Sequence, residues 1–292
     1  MSISRGETSQ GGMLYRLAAF AASGAGGNPA GVWVGDALPE ADVMQAIAAD
    51  VGYSETAFVA PKTGLTRDIR YYSPIAEVSF CGHATIAAGA TLGAAGGDAT
   101  FHLQTAIGEV PVAVQTTAEG VRVSLTSVET RHRSVEPSFL DAVLSTMGWS
   151  RDELDETLPP AVAFAGAWHL VLAAATRDRL DQLDYDFDAL KALMETEGLT
   201  TLQLVWRESE TVYHARNPFP VGGVVEDPAT GAAAAALGGY LRDAGLVTVP
   251  ASIRVRQGEA MGRPSRLQVD IPTAGGIAVS GYVAAVTDSV AG

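Results

Sequence analysis

Cys81 and His83 stand two residues apart in the stretch "FCGHAT", and Cys81 is the single cysteine of a 292-residue chain that holds only five histidines. A thiol beside an imidazole can be an activated nucleophile, half of a metal site, or simply the point where a strand turns into a helix. Residues two apart on such a turn seldom reach each other well, and no GxSxG elbow or third member supports acyl transfer by Cys81. The remaining histidines, His102, His132, His169 and His214, show no ligand-like spacing with one another or with a second thiol, so no metal is expected.

The same turn can act through its backbone. The residues that open the helix, Gly82, His83, Ala84 and Thr85, are small or polar, and a second stretch, "EDPATG", opens another small-residue helix with Pro228, Ala229, Thr230 and Gly231. The first N–H groups of a helix lack internal partners and lie at the positive end of its dipole, so each start suits an anion. The structural alternative is that the small residues only allow close helix packing, with Thr85 and Thr230 as local caps.

The two stretches are related. Aligned without gaps, "RYYSPIAEVSFCGHAT" and "RNPFPVGGVVEDPATG" place Arg70 on Arg216, Pro74 on Pro220, Val78 on Val224 and Cys81 on Asp227, always 146 residues apart. That offset is half the chain and predicts two similar lobes facing each other, with Cys81 and Asp227 at equivalent points. Symmetry breaks upstream: Glu55 in "VGYSETAFV" falls on Thr201 in "GLTTLQLVW", with Gly52 on Gly198 and Phe58 on Leu204 holding the register. A carboxylate thus occupies one lobe only. Read as a strand residue, Glu55 either faces solvent or points into a desolvated cleft, where its pKa would rise toward the range useful for proton transfer.

The elements that must position these groups follow from pattern. Strands are expected over "MLYRLAAFAA", "NPAGVWVGD", "YSETAFVA" and "RDIRYYSP", with a helix in "LPEADVMQAIAADVG" and a strand meander ending near Val128. The second half repeats the order, with a helix in "DFDALKALMETEG" and closing strands "SIRVRQGE", "SRLQVDIP" and "GIAVSGYVAAV". Each half reads as a mostly antiparallel sheet with helices, an α+β unit. The expected division is a polar tail over 1–12, an N-terminal lobe over 13–129 completed by a C-terminal strand over 277–290, and a second lobe over 130–276.

Composition narrows the partners. A formal charge of −14 with only 19 Lys and Arg argues against nucleic acid and anionic membranes. The polar start "MSISRGETSQGG" lacks a signal region, the most apolar stretch is too short to span a membrane, and a lone cysteine fits a reducing compartment, so a cytoplasmic location is expected. "GAGGNP" lacks the full GxGxxG pattern, and no dinucleotide site is expected.

Four motifs in order, "GNPAGV" (Gly27 to Val32), "GYSETAFV" (Gly52 to Val59), "FCGHATIAAG" (Phe80 to Gly89) and "EDPATG" (Glu226 to Gly231), resemble the phenazine-biosynthesis PhzF-like family, related in fold to diaminopimelate epimerase, from about Met13 to Val286. The resemblance implies an α+β, diaminopimelate epimerase-like fold of two pseudo-symmetric lobes, each a barrel-like sheet around a central helix. It implies a cofactor-independent isomerase, usually a homodimer, that moves a proton or hydrogen on a small carboxylate-bearing metabolite. By motif position Glu55 matches the general acid and base, and His83 and Asp227 match residues that line the site and orient substrate or proton donor. Asn28, Gly82, Thr85, Thr230, Gly231 and Ala232 fall in the stretches expected to bind substrate. Ala232 stands where members of the family often carry serine, which points to a small polar acid other than the phenazine precursor. A two-thiol epimerase mechanism is excluded by the single cysteine. The rival function is a scaffold that binds a metabolite or a partner protein without turnover.

Overall fold

A computed structural model describes residues 7–286, which divide into two compact units, one of residues 7–125 with 280–286 and one of Thr126–Val279. These breaks fall a few residues from the 129/130 and 276/277 boundaries read from the sequence. Among the described residues no helix is long and apolar enough to cross a membrane.

The first unit runs β1 (Glu7–Ser9), β2 (Gly12–Ala19), β3 (Asn28–Val34), α1 (Ala41–Val51), β4 (Thr56–Thr63), β5 (Thr66–Tyr72), β6 (Glu77–Val78), α2 (Gly82–Gly96), β7 (Ala99–Thr105), β8 (Gly108–Thr117) and β9 (Gly120–Glu129). Part of the expected tail is therefore strand: β1 folds back on β2 through a turn in which Gln10 and Gly11 take positive φ. Strands β2, β3, β4, β5, β7, β8 and β9 follow one another edge to edge, and the end of β18 (Gly276–Ala285) pairs with both β9 and β2, closing the ring. The expected closing strand is thus present through Ala285, and residues 287–290 lie outside the described ones.

Helix α2 fills this ring. Eleven consecutive residues, His83 to Gly93, are buried, as expected for a helix enclosed on every side. Its Ala and Gly content is what allows the fit: a Cβ on Gly89 would come within 2.7 Å of Val123, and one on Gly93 within 2.3 Å of Val114. Helix α1 instead covers the outside, burying Met44, Ile47, Ala48 and Val51 against Leu14, Trp33, Phe58 and Tyr72. It stops at Gly52, whose φ of 70° is the left-handed cap that glycine adopts without cost.

The second unit runs β10 (Arg131–Ser134), α3 (Pro137–Thr146), β11 (Ala161–Phe164), β12 (Trp168–Ala173), α4 (Arg177–Asp181), α5 (Phe187–Glu197), β13 (Leu199–Ser209), β14 (Val212–Phe219), β15 (Val224–Asp227), α6 (Gly231–Asp243), β16 (Ala251–Gln257), β17 (Ser265–Ile271) and the start of β18. It repeats the first: β12 and β13 pair in parallel across α5 as β3 and β4 do across α1, and β14 and β16 pair in parallel across α6 as β5 and β7 do across α2.

The repeat carries a register step that an ungapped alignment hides. From Gly52 and Gly198, both left-handed helix caps, to Arg70 and Arg216, opposite Phe58 and Leu204, the offset is 146. Tyr71 then faces Val78 in one ladder while Asn217 faces Asp227 in the other, so the offset becomes 149. The helices keep it: Gly82 matches Gly231, and Gly89 matches Gly238, whose added Cβ would likewise meet the sheet, 2.9 Å from Val269. The connection from Pro218 to Glu226 is three residues longer than that from Tyr72 to Glu77 and contains a β-bulge. The expected equivalence of Cys81 with Asp227 is corrected accordingly. Cys81 corresponds to Thr230, His83 to Ala232, and Asp227 to Val78.

Candidate functional site

In the first unit the approach to α2 is fixed by polar bonds. Arg70 on β5 grips Glu77 on β6 with both arms of its guanidinium, and this bond holds the Glu77 carboxyl below the usual carboxylate range. Below the turn, Thr85 donates its hydroxyl proton to the Cys81 carbonyl at 2.7 Å, which leaves the Tyr71 hydroxyl, also at 2.7 Å, as its donor. Burial pushes the Tyr71 pKa well up, so it stays protonated to make that bond. Thr85 is fully buried. Its side chain therefore supports the turn from within, where a substrate contact and a local cap had been the two expectations.

Cys81 occupies the N-cap position in extended conformation and its side chain does not cap the helix. The thiol turns instead toward two groups, donating to Glu55 Oε2 at 3.5 Å and lying 3.3 Å from His83 Nδ1. Glu55 sits in the irregular link just before β4, a correction to its reading as a strand residue, with its carbonyl accepting from Gly31 N–H at 3.1 Å. Its Oε2 lies 3.4 Å from His83 Nε2, and Ser54 Oγ is at the same distance from that nitrogen. Glu55 is about one-fifth exposed and His83 one-tenth, so the cluster is half-sheltered with one side open. Gly82 borders it, and a Cβ there would meet nothing within 4 Å. Asn28, expected to bind substrate, opens β3, where it is buried opposite Ala19.

The corresponding turn in the second unit is built differently. Arg216 on β14 grips buried Glu226 on β15, repeating the Arg70–Glu77 clamp. Thr230 holds the N-cap position without capping α6, and its hydroxyl donates to Asp227 Oδ2 at 2.6 Å. Buried Gln257 at the end of β16 ties the turn, donating to the Asp227 carbonyl at 2.7 Å and accepting from Thr230 N–H at 3.2 Å. The next residue, Gly258, has φ of 73°, and a Cβ would strike the Pro228 carbonyl at 2.7 Å, so only glycine lets the backbones meet. Gly231 and Ala232 are the first two residues of α6.

At the place of Glu55 the second unit has Thr201, wholly enclosed. Its hydroxyl lies 2.8 Å from His169 Nδ1 and accepts from Asn217 Nδ2 at 3.1 Å. His169, Gln203 and Asn217 are fully buried, and burial lowers the His169 pKa to about 3, keeping its ring neutral. The structure thus gathers Glu55 and His83 with Cys81 in one unit and Asp227 with Thr230 in the other. Gln257, Ser54 and the two Arg–Glu clamps were not anticipated, although the matched arginines were visible in the repeat.

The first unit thus sets the Glu55 carboxylate beside the His83 imidazole at the start of a helix enclosed by an α+β barrel. Solved structures share that fold: a PhzF-family phenazine biosynthesis protein from Bacillus anthracis aligns with a TM-score of 0.83 at 22% identity, covering 94% of this chain and 96% of that one. A hydroxyproline epimerase from Agrobacterium vitis aligns at 0.65 with 13% identity, covering 94% and 90%. The chain belongs to the PhzC-PhzF family of phenazine biosynthesis-like proteins, whose pattern it matches over residues 17–288. An uncharacterised isomerase from Deinococcus radiodurans is 31% identical over 267 residues, 89% of this chain and 86% of the relative. A trans-2,3-dihydro-3-hydroxyanthranilate isomerase from Pseudomonas fluorescens is 31% identical over 252 residues, 85% and 86% of the two chains.

Proposed function

We propose that this isomerase moves a proton between two positions of a small carboxylate-bearing metabolite, cyclic or amino acid-like, with Glu55 as the single acid and base and without a cofactor. The observation that carries the reading is the half-sheltered Glu55 carboxylate, 3.4 Å from His83 Nε2 and beside the start of α2. A shift of hydrogen along a substrate needs one group that removes a proton and returns it nearby, and a partly desolvated carboxylate can do both. The Glu55 carboxylate takes the proton from a substrate carbon, and the same Oε–H delivers it to a second carbon as the π-electrons relocate. His83 orients the carboxylate and hydrogen-bonds the substrate. The dipole and leading N–H groups of α2 favour the charge that builds up on the substrate acid. Asp227, held by Thr230 and Gln257, is assigned the orienting role its motif implies.

The P. fluorescens relative acts on trans-2,3-dihydro-3-hydroxyanthranilate, a cyclic amino acid, which sets the substrate class to test first. Ala232 in place of a hydroxyl residue favours a related acid over that compound itself. We further propose a homodimer in the cytoplasm.

The test is solvent isotope exchange. Cyclic and α-amino acids incubated in deuterated water with the protein should gain label at carbon, read by mass spectrometry, and Glu55→Gln should abolish it. Undiminished exchange in that variant would overturn the assignment.

A further inference from the structure

The three groups at the start of α2 have a geometry that proton transfer does not require. Glu55 Oε2, Cys81 Sγ and His83 Nε2 form a triangle with edges of 3.5 Å (O to S), 3.9 Å (S to N) and 3.4 Å (N to O). Tetrahedral zinc with bonds of about 2.3 Å to sulfur and about 2.0–2.1 Å to nitrogen and oxygen separates its ligand atoms by roughly 3.3–3.6 Å. The triangle is therefore nearly one face of a zinc tetrahedron before any ion enters. Among the described residues these three are the one group of His, Cys, Asp and Glu atoms close enough to hold an ion together.

We propose that this cluster is a binding site for a thiophilic divalent cation of the Zn2+ type, and that the ion and the isomerase reaction exclude each other. The proposal rests on Glu55 being the acid and base. The donor set of thiolate, imidazole and carboxylate selects zinc and cobalt(II) over the oxygen-seeking magnesium and calcium. Thiolate and carboxylate together balance the ion's two charges, so the filled half-sheltered site is neutral. Binding breaks the Cys81 S–H bond: the sulfur keeps the pair and bonds the metal, and the proton goes to solvent. The three bonds leave a fourth position open for water. An ion on Oε2 draws electron density from the whole Glu55 carboxylate and makes it a much poorer base toward a substrate carbon, so the loaded protein is inactive until the ion is withdrawn. Spacing along the chain gives no sign of this, because the third ligand comes from 26 residues upstream of Cys81.

The metal-free protein would be titrated with zinc chloride against a chromophoric chelator, and separately with cobalt(II) chloride followed by visible absorption. Expected are one ion per chain, proton release on binding, and the intense d–d and sulfur-to-cobalt bands of a tetrahedral thiolate site. Cys81→Ser should erase the charge-transfer band, and His83→Gln and Glu55→Gln should each weaken zinc at least tenfold, with thermal melts showing that the variants are folded. His102→Ala, which removes the exposed pair with Glu109, should leave binding unchanged. Substoichiometric binding, an octahedral cobalt spectrum, or binding that survives Cys81→Ser together with His83→Gln would overturn the proposal. Zinc that binds where no isotope exchange is ever found would overturn Glu55 as acid and base, and the mutual exclusion with it, and would leave the zinc site standing. Exchange that persists at saturating zinc would overturn the mutual exclusion.

Discussion

The two helix starts share a frame and differ in what they carry. Each is reached from a strand whose arginine grips a glutamate on the next short strand, and each opens a helix rich in Ala and Gly that packs closely against a sheet. On that common frame the first unit places a half-open Glu55 with His83 and Cys81, and the second places Thr201 in a closed network and holds Asp227 through Thr230 and Gln257. Duplication supplies two positions with the right backbone. The proposed chemistry requires only one of them to bear a group that exchanges protons; the other holds the buried Thr201 network.

The sharpest way to break that contrast is to exchange roles. Glu55→Gln is expected to cost about 10²- to 10⁴-fold in turnover, measured by isotope exchange, the range ascribed to a general acid or base. Thr201→Val, at the matching position, should leave turnover intact and instead lower stability by about 2–4 kcal/mol in urea unfolding, because His169 and Asn217 lose a buried partner. A catalytic loss at Thr201 comparable to that at Glu55 would erase the distinction between the units. Gln257→Leu removes the bonds it makes to the Asp227 carbonyl and the Thr230 N–H in the second unit and should cost about 1–3 kcal/mol by the same measurement.

Acid should reveal the closed network as well. His169 has a folded pKa lowered to about 3 by burial, whereas the unfolded chain takes up the proton near 6.5. The folded state therefore keeps its full stability above about pH 6.5 and loses it as pH falls toward 3, by about 2 kcal/mol at pH 5. His169→Gln should remove that part of the slope, seen as a shallower fall of the unfolding midpoint between pH 7 and 5. An unchanged slope would mean that the imidazole is not the group being protonated.

The sequence made the strands, α1, α5 and the doubled order legible, because amphipathic spacing and the cap glycines Gly52 and Gly198 mark them locally. Glu55 could be singled out because Thr201 breaks the repeat there. The pairing of Cys81 with Asp227 failed for a definite reason. A rigid offset carries Pro74 onto Pro220 and Val78 onto Val224 across a connection that is three residues longer in the second unit. Gly82 with Gly231 and Gly89 with Gly238 held the corrected offset in plain view, since both members of the second pair sit where a side chain would collide with the sheet. Gln257 was not legible at all. One glutamine at a strand end has no periodicity, and only folding brings it to the Asp227 turn. Pro137 at the first turn of α3 was a usable sign of a helix in the segment after residue 130.

Helix α2 is enclosed over eleven residues by strands that touch its glycines directly, and this has a consequence for how a ligand is received. A shaft gripped along its length can neither slide nor turn, so the amides at its tip have the same direction before and after a molecule arrives. If the proposed site is the receptor, its end is set when the chain folds, and a molecule that docks there meets amides already in place.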